Sequence, residues 1–91
     1  MKSIIQSEKE CCFTHSTANL EKHHIFNGPN RKNSEKYGLT VYLTHNMHNE
    51  PPDGVHHNKD NREHLCRIGQ EAFEAIHGHE EFMRILRENF L

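Results

Sequence analysis

The sequence predicts a small α+β domain in which two antiparallel strands, joined by a long loop, are followed by a main helix and a short C-terminal helix. Three observations carry this expectation. Leu20 to Phe26, with Leu20, Ile25 and Phe26 apolar, and Leu39 to Leu43, rich in β-branched and aromatic residues, read as strands separated by the turn punctuation Asn27-Gly28-Pro29-Asn30 and a polar stretch to Gly38. Leu65, Ile68, Ala72, Phe73 and Ile76 recur at three- and four-residue steps, the period of an amphipathic helix. Finally, a chain of 91 residues with 33% hydrophobic residues and no tryptophan makes one domain with a thin core. Such a chain buries about 60 to 65% of the surface its unfolded form exposes, and a bound ion is a natural reinforcement.

In order along the chain, residues 1–10 form an N-terminal extension, a short strand or frayed start around Ile4 and Ile5. Cys11 to His15 is turn-sized, and Cys12-x-x-His15 has the spacing of half a zinc knuckle; Cys12 as a small buried residue and His15 as a surface polar group is the equal alternative. The first strand carries His23 and His24 near its end, and a polar, basic loop then runs to Gly38. Leu39-Thr40-Val41-Tyr42-Leu43 is the second strand, ending at Thr44. Pro51-Pro52-Asp53-Gly54 turns the chain, with Asp53 placed to cap a helix starting near Val55. Gly78 ends that helix, and His79 to Asn89 makes the second, with Phe82, Ile85 and Leu86 on one face and Phe90-Leu91 closing it. The core therefore spans residues 12–77, residues 79–91 hold the C-terminal helix, and 1–91 is a single domain.

Charge and cysteine usage narrow the class. The formal net charge is -2, unlike a basic nucleic-acid coat protein, but its distribution is uneven. Residues 1–49 carry six Lys/Arg against four Asp/Glu, a balance of +2, whereas residues 50–91 carry five against nine, a balance of -4. Arg31, Lys32 and Lys36 lie in the positive part, close in sequence to the paired histidines, where they would grip a phosphate backbone. Three cysteines make no secreted-type framework, MKSIIQSEKE lacks a signal-peptide apolar region, and no apolar run approaches the ~20 residues that cross a bilayer. The expected setting is reducing and cytoplasmic, with no membrane partner.

Ten histidines are present, and they are ordered: the pair His23-His24, then His45 and His48, then the pair His56-His57. They are interior and separated by structural segments, unlike a terminal tag. Imidazole ligates transition metals and carries protons near neutral pH, so the ordering points to a metal-dependent hydrolytic site.

With its segments LEKHHIFNGPNRKNSEKYGL, VYLTHNMH and GVHHNKDN, and the C-terminal GHEEFMRILRENFL, the chain resembles the HNH, or ββα-metal, endonuclease superfamily, and within it a group of small phage-encoded HNH-like proteins. The likeness runs from about Cys12 to the end. It implies a ββα-metal core and a hydrolase that nicks or cleaves DNA phosphodiester bonds. It also implies His23 as a metal ligand and His24 as general base, with His48 and His56 as the other ligands. Three imidazoles leave open positions for water and a phosphate oxygen. A base must keep its lone pair free, so it is not the imidazole on the metal, and neighbouring residues on a strand point to opposite faces. His57 is the substitute for His56, and His45 either supports a ligand or joins Cys12 and His15; His64, His77 and His79 read as solvated helix-face residues. The middle Asn of the motif, a brace beneath the catalytic pair, falls first on Asn30, then on Asn46 and Asn58.

Two departures from the superfamily pattern matter. The knuckle pairing Cys12-x-x-His15 meets Thr44 where a second cysteine is expected, so a closed structural zinc site is incomplete. His23 also stands where an acidic residue is usual, which shifts preference from magnesium toward zinc, nickel, cobalt or manganese for the single divalent ion. Besides DNA, a domain this small calls for a homodimer or a phage or host protein partner to gain specificity. The rival expectation is a non-catalytic metal-binding adaptor, or an inhibitor of a host defence enzyme. A purely structural site has no use for a second histidine beside a ligand.

Overall fold

The structure is a computed structural model and describes residues 2–91. It is α+β, with one two-stranded antiparallel sheet and four helices among the described residues. Strand β1, Leu20–His24, pairs with β2, Thr40–Thr44, in a register that sets His23 opposite Val41 and His24 opposite Thr40. The expected strand over Leu20 to Phe26 stops two residues early, although the Ile25 amide still donates to the Leu39 carbonyl at 3.0 Å. None of the helices is long and apolar enough to cross a membrane.

The segment between the strands is not the expected basic loop. A single 3-10 turn, Gly28–Asn30, leads into α1, Arg31–Tyr37. Pro29 in the turn pre-sets a helical φ, and RKNSEKY contains no helix breaker, so punctuation that reads as a turn is here a helix start. Gly38 closes α1 at φ 70°, where a Cβ would run into the Lys2 carbonyl, so the position requires glycine. Ser34 locks α1 to the strand: it is fully buried, and its Oγ accepts from the Phe26 amide at 3.0 Å and donates to the Phe26 carbonyl at 2.8 Å.

The extension at the N-terminus forms no strand of its own but covers the outer edge of β2. The Gln6 Oε1 accepts from the Tyr42 amide at 2.7 Å, the Cys12 amide donates to the Tyr42 carbonyl at 2.9 Å, and the Ile4 amide donates to the Gly38 carbonyl at 2.9 Å. Unpaired strand edges invite pairing with other chains, and this cover removes one.

After β2 the chain folds straight into a short helix absent from the sequence expectation, α2, His45–Asn49, capped by the Thr44 hydroxyl accepting from the Met47 amide. The main helix, α3, is Lys59–His77, and it begins four residues later than the sequence suggests because Asn58, not Asp53, is its cap, with Oδ1 accepting from the Asn61 amide at 2.9 Å. The residues before it are otherwise engaged. Gly54 donates to the Glu50 carbonyl at 2.7 Å, and Val55 donates to the Met47 carbonyl at 2.8 Å. A Cβ on Gly54 would collide with the Glu50 backbone, so this tight return also depends on glycine.

Helix α3 lays Leu65, Cys66, Gly69, Gln70 and Phe73 against the sheet, where Ile25, Phe26, Val41 and Leu43 complete the core. Ile76 belongs to the same sector of the helix wheel but is 61% exposed, because it lies past the last core partner, where the chain turns at Gly78. The C-terminal helix, α4, is His79–Leu86, shorter than expected since Arg87 turns left-handed at φ 61° and caps it. The tail returns to the core through Gln70, whose Oε1 accepts from the Phe90 amide at 2.7 Å.

Candidate metal centre

Three of the ten histidines converge. His23 on β1, His48 on α2 and His56 in the return before α3 each offer one ring nitrogen, and these atoms lie within 4.8 Å of one another. Ring centroids are separated by 5.1 Å for His23 and His48, 5.5 Å for His23 and His56, and 4.8 Å for His48 and His56. Among the described residues no other group of His, Cys, Asp and Glu side chains is so disposed.

The local fold explains the convergence. His23 faces the interior because alternate strand residues share a face, so it is only 2% exposed while its neighbours Lys22 and His24 turn outward. α2 leaves β2 directly at Thr44, which brings His48 back over the inner face of β1. The return through Gly54 runs beside α2, with the His56 amide donating to the His48 carbonyl at 3.3 Å, so the second and third rings are held next to each other by backbone contacts.

The chemistry of the three rings suits a cation. His23 Nε2 is buried with no hydrogen-bond partner, a costly state for a polar atom unless something coordinates it. Burial, reinforced by the nearby rings of His48 and His56, pushes the His23 pKa down to about 3, and burial likewise lowers that of His56. Both rings are therefore neutral at physiological pH, the state a metal ligand requires. His48 is oriented from behind: its Nδ1 lies 2.8 Å from the Glu21 carboxylate, which leaves Nε2 as the free ring nitrogen. This is the carboxylate–histidine arrangement that fixes the tautomer of a metal ligand.

Glu21 was not apparent from the sequence, although its place two residues before His23 puts it on the same strand face. Its carboxylate also holds His45 Nδ1 at 3.0 Å and Asn49 Nδ2 at 3.1 Å, so one side chain pins α2 to β1. We expect Glu21→Ala to weaken zinc binding roughly 10- to 100-fold, the usual cost of removing such a supporting group. Competition with a chromophoric chelator measures it, and an unchanged affinity would mean that the backbone alone orients His48.

The remaining sequence candidates are distributed differently. His24 stays out of the trio; its Nε2 is 2.7 Å from Oε2 of Glu35 on α1, and that carboxylate also pairs with Lys22 at 3.0 Å. Arg31 and Lys32 line a shallow hollow together with Lys22, His24 and Glu35, so two of the three basic candidates sit beside His24. Lys36 is elsewhere, its ammonium over the Tyr37 ring at 5.3 Å. Asn30 is not beside the histidines: its Nδ2 donates to the Leu86 carbonyl at 2.8 Å, tying the start of α1 to the end of α4. Asn58 caps α3, Asn46 is exposed, and His57 is exposed and outside the trio.

The half knuckle does not assemble. His15 is exposed, in a left-handed conformation at φ 65°, and its ring lies 3.2 Å from Glu10. Cys12 packs against the core, while the cysteine beside Thr44 is Cys11, whose Sγ is 4.0 Å from the Thr44 hydroxyl. His45 supports the centre through Glu21 instead of joining Cys12.

The fold and the centre together define an α+β domain with a candidate three-histidine metal site. No protein-family model, curated protein or solved structure matches the chain.

Proposed function

We propose that the chain is a metal-dependent endonuclease of the HNH kind, nicking or cleaving DNA, with His23, His48 and His56 as the ligands of one divalent ion. The observation that carries the reading is the convergence of three imidazoles on one point, with the buried His23 Nε2 otherwise unpartnered. All-imidazole donation favours zinc, nickel, cobalt or manganese over magnesium. Such an ion supplies Lewis-acid polarisation of a phosphate and stabilisation of a departing oxygen.

The protein's own groups supply the rest. His24 carries no ligand duty, so it is the residue free to take the proton of an attacking water. That water gives its proton to His24 and forms the new phosphorus–oxygen bond; the bond to the 3′-oxygen breaks, and this oxygen leaves and takes a proton from solvent. The products are 5′-phosphate and 3′-hydroxyl ends. Arg31 and Lys32, exposed beside His24, hold the backbone by charge and so carry no base preference.

A plasmid-relaxation assay across the four metals, with and without chelator, tests the reading. Nicking is expected with at least one of them and none with chelator. Arg31→Ala or Lys32→Ala is expected to weaken DNA binding uniformly across sequences and to lower the slope of log affinity against log salt by about 0.9 for each phosphate that is no longer neutralised. A metal-loaded protein that binds its ion but nicks nothing would favour the adaptor or inhibitor role.

A further inference from the structure

We propose that Glu35 is the positioning residue for His24: by accepting a hydrogen bond from the Nε2–H, it sets the ring's orientation and leaves Nδ1 as the atom that takes the proton. This rests on the nuclease reading for its catalytic meaning, though not for its geometry.

The arrangement is built into the fold. Glu35 follows Ser34, whose hydroxyl is clamped to both backbone groups of Phe26, two residues beyond His24. The backbone that presents the carboxylate is therefore tied to the strand that presents the imidazole. Oε2 of Glu35 lies 2.7 Å from His24 Nε2, while Lys22, on the same outward face of β1, approaches the carboxylate at 3.0 and 3.1 Å. The His24 side chain is only 15% exposed, against 42% for Lys22 and 47% for Glu35, so the imidazole is the enclosed member of the three. Its Nδ1 has no hydrogen-bond partner among the described residues. An imidazole held at one nitrogen by a carboxylate and open at the other is arranged for proton transfer, since a carboxylate bond fixes the tautomer and holds the ring in place as it becomes charged. Glu35 touches no reacting atom in this scheme and acts through His24.

Full-length wild type, Glu35→Ala, Glu35→Gln and Lys22→Ala proteins, zinc-loaded, provide the test. In 15N-edited NMR spectra the His24 Nε2–H proton is expected downfield and slowly exchanging in wild type and Lys22→Ala, weaker but present in Glu35→Gln, and lost in Glu35→Ala. Zinc affinity should be the same in all four. In plasmid nicking, Glu35→Ala should lower kcat on the order of 10²-fold with little change in KM, the scale of a misplaced catalytic group, and Glu35→Gln should recover most of that loss. The proposal is overturned if the Nε2–H signal is missing from wild type, if it persists in Glu35→Ala, or if zinc affinity falls together with kcat. Should the wild type nick with no metal, the nuclease reading falls by itself, and the Nε2–H signal alone decides whether Glu35 holds His24.

Discussion

His24→Ala is expected to abolish plasmid nicking while leaving metal affinity nearly intact. The ring lies outside the three-histidine group, so its removal opens no coordination position. What is lost is the acceptor for the water proton, and general-base catalysis contributes roughly 10²- to 10⁴-fold. Metal titration and nicking on the same preparation separate the two properties. If the variant also loses its metal, the two adjacent histidines share ligand duty and the roles given to His23 and His24 are wrong. If it nicks at the wild-type rate, the adaptor reading takes over.

The largest effect on stability is expected from the ion. At free zinc a thousandfold above its dissociation constant, binding to the folded state alone contributes about 4 kcal/mol. For a domain of this size that amounts to roughly 15 to 30 °C in Tm. Wild type should show this shift on zinc addition, and His23→Ala, His48→Ala and His56→Ala should not. His23→Ala also leaves a hole in the buried inner face of β1, so it is read by the missing zinc response and not by its own Tm. Equal melting temperatures for wild type with and without chelator would remove the ion from the stability of the fold.

Without metal, acid should destabilise the protein. The folded-state pKa of His23 is depressed to about 3 by burial and by its neighbouring rings, below the 6.5 of an unperturbed imidazole. Between those values the unfolded chain binds a proton that the folded chain refuses, so stability contributed by this group is complete above pH 6.5 and declines as pH falls toward 3. Chemical denaturation of the metal-free protein at steps between about pH 7 and pH 4 would show the slope, which should be shallower in His23→Ala, where His56 and carboxylates of lowered pKa such as Glu21 still contribute.

Much of the centre was readable without coordinates, and for a simple reason. Metal ligation and strand alternation are tied to residue identity: imidazoles at ordered intervals point to a metal, and alternation sets His23 and His24 on opposite faces, while the choice of His23 as the ligand rested on the resemblance. The helical period of Leu65 to Phe73 was equally legible because a thin core admits one inward stripe. The choice of His56 over His57 rested on the resemblance as well, and the Gly54 return places the first of that pair beside His48.

What the residue string left open was decided by contacts between segments far apart in it. Asn27 to Gly38 reads as a loop locally, yet becomes α1 because Ser34 finds both backbone groups of Phe26 and Gly38 has room for no side chain. Asn30 looks like a turn residue and is one, but its amide serves α4, 56 residues away, where no local pattern could place it. Glu21 and Glu35 are ordinary acidic residues in composition; one stands behind His48 and the other beside His24 only once α2 and α1 pack on β1. Side-chain chemistry is a local property that a sequence displays directly, whereas which carboxylate supports which imidazole depends on long-range packing, and that exists only once the chain has closed on itself.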